Sequence, residues 1–102
     1  MIRQDIDVDG YWDITVAYDA YLGEDNSGFT YTDFNKKLSI VVIGKADSKK
    51  QFLNTIVHEA KHVQSHICRY YDIQEDSEDA AYLIGYLVMQ MYSTFKNLLC
   101  QC

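Results

Sequence analysis

Residues 58–62 read His-Glu-Ala-Lys-His, a spacing that lets two imidazoles and one carboxylate work on a single metal ion. Side chains four apart on a helix lie one above the other on the same face, so His58 and His62 can share one zinc. Glu59 is turned about 100° from His58, toward the border of the apolar face. There it reaches a water on the metal rather than the metal itself. The chemistry is metal-assisted hydrolysis: zinc lowers the pKa of its water toward about 7, Glu59 takes the proton as general base, and hydroxide attacks a polarised carbonyl.

A catalytic zinc takes three protein ligands and keeps one position open. Glu78, in the first turn of a second helix and away from that helix's apolar stripe, is the preferred third ligand. Glu75 is the alternative, with Asp79 spaced to accept a hydrogen bond from a ligating histidine. His66 continues the four-residue series but lies about 12 Å along the axis from His58, so it reads as an exposed or supporting histidine. Tyr82, one turn after Glu78, is a candidate catalytic hydroxyl for an oxyanion. The acidic cluster also suits a helix N-terminus in its own right, where carboxylates meet the positive end of the dipole. The three cysteines, Cys68, Cys100 and Cys102, are an odd number, and a terminal C-x-C lacks the two-residue spacing of a zinc knuckle. They read as reduced thiols.

These groups need a helix to carry them and a sheet to hold the helix. Asp47 or Ser48 can cap a helix from Lys49 to about Cys68, whose stripe of Phe52, Ile56, Ala60, Val63 and Ile67, widened by Leu53 and Val57, packs on the sheet. After a polar link from Asp72 to Asp76, Ser77 caps a second helix with Ala80, Leu83, Ile84, Leu87, Val88, Met91, Phe95 and Leu98 on its apolar side. Upstream, β-branched and aromatic residues predict strands over Tyr11 to Tyr21, Phe29 or Thr30 to Phe34, and Leu38 to Ile43. Turns are expected at Gly23 to Gly28 and at Asn35-Lys36-Lys37. The expected class is α+β: an antiparallel-rich sheet of three or four strands packed on two helices, in one domain.

A chain of 102 residues with 48% hydrophobic residues suffices for one core. A net charge of −6 repels a polyphosphate backbone, so nucleic acid is not an expected partner. No run approaches the roughly 20 apolar residues of a membrane helix, and Met1-Ile2-Arg3-Gln4-Asp5 does not begin a signal peptide. The expectation is a cytoplasmic protein without a membrane partner.

The motif, with Glu78-Asp-Ala-Ala-Tyr82-Leu-Ile-Gly-Tyr after it, resembles the zincin metallopeptidases and within them the gluzincins, in a minimal form of about 100 residues. The resemblance covers about residues 38 to 88. It implies a zinc cofactor, Glu78 as third ligand and a peptide or protein substrate. It also implies that Leu38 to Ile43 is an edge strand, with Ile40, Val41 and Val42 pairing to the substrate backbone. The sequence departs from the family in having Tyr82 where gluzincins often have an aspartate. The alternative expectation is a zinc-bearing but latent binding module, its cleft filled by the tail Lys96 to Cys102 with a thiol on the metal.

Overall fold

The computed structural model describes residues 2–22 and 28–99. The expected loop at Gly23 falls largely outside these residues, as do Cys100 and Cys102 and with them the blocking tail's thiols.

Two hairpins build the sheet. Strands β1 (Ile2–Val8) and β2 (Trp12–Asp19) pair antiparallel across a turn in which Asp9 and Gly10 both take positive φ, 52° and 81°. The Gly10 amide donates to Asp7 Oδ1 at 3.2 Å, closing the turn. Strands β3 (Gly28–Asp33) and β4 (Leu38–Gly44) form the second antiparallel pair. The hairpins join through β2 and β4, which run parallel, giving the order β1-β2-β4-β3. The fold is α+β: a four-stranded mixed sheet followed by two long helices packed on it. This is the expected antiparallel-rich sheet of three or four strands; β1, before Tyr11, is the strand the sequence reading does not locate, and the central pair is parallel.

The placement of β4 corrects one expectation. It is an interior strand, paired to β2 on one side and β3 on the other, so the backbone at Ile40, Val41 and Val42 is not free for a substrate. An apolar run such as Leu-Ser-Ile-Val-Val-Ile suits a strand enclosed by neighbours. The edge beside it is β3.

Both helices lie on the face formed by Ile6, Val8, Trp12, Ile14, Val16, Val41 and Ile43, all buried. Helix α1 (Lys49–Tyr71) begins where Ser48 Oγ accepts from the Gln51 amide at 3.1 Å, and ends where Asp72 turns left-handed, φ 56°. Phe52, Ile56, Ala60, Val63 and Ile67 are buried as expected, but Leu53 and Val57 are each 42% exposed. The apolar stripe is narrower than its sequence suggests. Helix α2 (Glu78–Leu99) is capped by Ser77, whose Oγ accepts from the Ala80 amide at 3.2 Å. It runs antiparallel to α1, with Gln64 Nε2 donating to the Ala80 carbonyl at 3.1 Å and Phe52 meeting Phe95 at a centroid distance of 5.7 Å.

Along β3, Thr30 and Thr32 lie in register with the inward-facing Val41 and Ser39, while Phe29 and Tyr31 take the opposite face, 44% and 60% exposed. The strand starts at Gly28, where a Cβ would stand 2.8 Å from the Val42 carbonyl and 3.2 Å from Thr55 Cγ2 of α1. A side chain there would push β3 off β4 or off the helix. Gly28→Ala is therefore expected to cost about 1–3 kcal/mol, read as a lower urea midpoint at unchanged slope.

Candidate functional site

One flank of α1 carries the candidate residues. At about 100° per residue, Thr55, His58, Glu59, His62, His66 and Arg69 fall within an arc of about 100°, on the side toward β3. The core stripe and α2 adjoin it on one side, and Lys50, Leu53, Asn54, Val57 and Lys61 leave the remaining face exposed.

His58 and His62 are both exposed, with their Nε2 atoms 3.3 Å apart and their rings 4.9 Å apart between centroids. Two nitrogens on one tetrahedral zinc, each at 2.0–2.1 Å, stand about 3.3–3.4 Å from one another. The pair thus has the separation of two ligands of a single ion. Imidazole nitrogen also suits zinc among divalent metals.

Glu59 is 4% exposed. Its Oε1 accepts from Thr30 Oγ1 at 2.8 Å, so the edge strand supplies the hydrogen bond that a carboxylate needs once taken out of water. This agrees with the offset read from the helical spacing: Glu59 is on neither the histidine line nor the apolar stripe.

His66 is half-buried and packs edge-on against Phe34, centroid distance 5.6 Å. Its Nδ1 is bonded to Thr32 Oγ1 at 2.7 Å. Thr32 Oγ1 is 2.8 Å from Ser39 Oγ, and Ser39 Oγ accepts from Trp12 Nε1 at 3.1 Å. Sequence reasoning reads His66 as an exposed or supporting group and does not find Thr30, Thr32, Ser39 or Trp12 around it. A signal was present: three hydroxyl residues on two strands of otherwise β-branched and aromatic composition. Burial, then the nearby positive charges of Arg69 and His62, hold His66 below the usual histidine range.

Glu78 and Tyr82 do not join the histidines. Each is two residues from the buried Ala80, hence about 160° around α2 from it, and both are exposed, Tyr82 by 73%. Helix α2 itself sits on the far flank of α1: Gln64, which holds Ala80, is about 160° around α1 from His62. Tyr82 lines a different cleft, of about 380 Å³, with Tyr11, Asp79 and Tyr86. Glu75 is exposed in the link between the helices. Among the described residues, no group of three His, Cys, Asp or Glu side chains is arranged to hold a metal. The donor pair fits zinc, and a third protein donor is not found among the described residues. Cys68 is buried, and burial, followed by the Glu75 carboxylate, holds its thiol above the ordinary range, which makes it an inert core group.

No protein-family model matches the sequence, and neither a curated protein nor a solved structure matches it. Among the described residues no helix is long and apolar enough to cross a membrane.

The lowered His66 pKa has a thermodynamic consequence. Between the ordinary value of about 6.5 and the lowered one, the unfolded protein binds more protons at this residue than the folded protein. Its contribution to stability therefore falls as pH drops through that window. Thermal denaturation between pH 7 and pH 5 is expected to show a steeper loss of Tm in the wild type than in His66→Gln, with the His66 ring resonance titrating below 6.5.

Proposed function

We propose that the protein is a zinc-dependent hydrolase of peptide bonds, with His58 and His62 as metal donors and Glu59 as general base. The reading is carried by the 3.3 Å separation of the two Nε2 atoms on a helix that places a buried carboxylate, Glu59, at the adjoining position. Zinc held there would supply a Lewis acid, polarising the substrate carbonyl and making water acidic enough to lose a proton near neutral pH.

The remaining work falls to the protein's own residues. Thr30 occupies Oε1 of Glu59, which keeps the carboxylate in one orientation and leaves Oε2 to accept a proton from the attacking water. The water oxygen bonds to the carbonyl carbon, and Glu59 then delivers the proton to the amine nitrogen as the C–N bond breaks. An extended peptide would lie along β3, whose outer edge no described strand pairs, in the manner of an added strand. This gives β3, through Gly28 to Asp33, the role first expected of Ile40, Val41 and Val42. Likeness to gluzincins supports the reaction class; Glu78, the third ligand it implies, is set aside because α2 packs on the flank of α1 away from His62.

The test is zinc content together with casein hydrolysis. His62→Ala is expected to lose both. Glu59→Gln is expected to keep its zinc and lose at least about 100-fold in rate, the scale of a general base. Glu78→Ala is expected to keep the wild-type zinc load. Zinc absent from the wild type, or hydrolysis surviving in Glu59→Gln, would overturn the reading.

A further inference from the structure

The hydrogen bonds from Trp12 through Ser39 and Thr32 to His66 form a series with one direction. An indole N–H can only donate, so Ser39 Oγ accepts at that end. Ser39 is 0% exposed, and its only other side-chain partner among the described residues is Thr32. Its hydroxyl proton therefore goes to Thr32 Oγ1, since the reverse arrangement would leave a buried donor without an acceptor. Having accepted from Ser39, Thr32 donates its own proton to His66 Nδ1. A neutral histidine that accepts at Nδ1 carries its proton on Nε2. Nε2 of His66 has no partner among the described residues and is not a buried unsatisfied atom. The series of bonds thus ends in an N–H open to the surface, one helical turn beyond His62.

We propose that His66 is a preset hydrogen-bond donor that, with Arg69, forms a carboxylate-binding subsite beside the His58–His62 pair. The identification of the ligand as a peptide rests on the hydrolase reading; the preset donor does not.

Charge favours a carboxylate. The protein has a net charge of −6, and Asp72, Glu75 and Asp76 follow the end of α1, yet the flank that carries His66 holds a cation. Arg69 is exposed three residues on, along the same flank and close enough for its charge to act on His66. Lys37 stands 5.8 Å over the ring of Tyr70. The carboxylate at the neighbouring turn, Asp33, accepts from the Lys36 amide at 3.2 Å. The reach is suitable: the middle of the His58–His62 pair is about 9 Å along the axis from His66, and an extended peptide advances about 3.3 Å per residue. A carboxylate about three residues from the bond at the histidine pair would meet Nε2–H. The C-terminus of a peptide and an Asp or Glu side chain both provide one.

Two measurements test the proposal. Imidazole ¹⁵N NMR of the wild type is expected to show neutral His66 as the Nε2–H tautomer, in excess on the order of tenfold or more. Thr32→Val, which removes the hydroxyl at nearly constant shape, is expected to collapse that preference. An Nδ1–H tautomer in the wild type, or no change in Thr32→Val, would overturn the preset donor. Binding is then measured in the Glu59→Gln background, where turnover does not interfere. The probes are acetyl tetra-alanine as free acid and as amide, and the amide with one alanine replaced by Glu or by Gln. Affinity about tenfold higher for an acid than for its neutral counterpart is expected, as one charge-assisted hydrogen bond would give. The free-acid and Glu arms separate a C-terminal from a side-chain carboxylate. His66→Leu is expected to abolish the preference, and His66→Gln, which keeps an N–H near the Nε2 position, to retain it. Equal affinities, or a preference that survives in His66→Leu, would overturn the subsite. Neither readout is hydrolysis, so failure of the hydrolase reading registers separately, in casein turnover.

Discussion

The arrangement depends on a polar seam between α1 and the edge strand β3. Helices ordinarily pack on sheets through apolar side chains, but here the outermost strand turns Thr30 and Thr32 toward the helix and meets Glu59 and His66 at 2.8 and 2.7 Å. A carboxylate that is 4% exposed is tolerable only with such a partner. With the buried stripe from Phe52 to Ile67, the seam holds the rotation of α1 about its own axis. Once Glu59 faces Thr30, the helical period leaves His58 and His62 on the outer flank, beside the unpaired edge of the sheet. A one-residue slip of β3 would turn both threonines to the opposite face and strand Glu59 without its donor.

Much of this is local and hence legible in the sequence. Ser48 and Ser77 announce both helix starts because capping is a contact across three residues. The stripe from Phe52 to Ile67 and the stacking of His58 on His62 follow from the helical period alone. What stayed illegible is non-local. Nothing in Leu38 to Ile43 states that β3 will close its outer side. Nothing in the alternation of β3 states that Phe29 and Tyr31 face outward while the threonines face in, since propensity favours aromatic residues on either face of a strand. The place of Glu78 is non-local in the same way: its position on α2 follows from the helical period, but the flank of α1 that receives α2 follows from tertiary packing of Ala80, Leu87, Met91 and Phe95, with Gln64 bonded to the Ala80 carbonyl.

That bond separates two acidic roles. Glu59 is the carboxylate the fold encloses, within the flank that holds both histidines. Glu78 and Asp79 stand in the first turn of α2, where negative charge meets the positive end of the helix dipole. One carboxylate is enclosed and bonded by the edge strand, and the others stabilise a helix start. Because the histidines and Glu59 lie within five residues of one rigid helix, their relative geometry does not depend on how α2 is docked.

The parallel pairing of β2 with β4 ties this geometry to the order in which the protein folds. Each hairpin closes a short loop and is formed from near neighbours. Joining them is the non-local step, and pairings of that kind are slow because loop entropy is lost before contacts repay it. The Trp12–Ser39 bond spans this junction, since Trp12 belongs to the first hairpin and Ser39 to the second. Until the hairpins join, Ser39 has no indole N–H beside it to start the proton order that ends at His66. The spacing of the paired histidines is a local property of one helix, whereas the polarity of the hydroxyl series is a property of the completed topology.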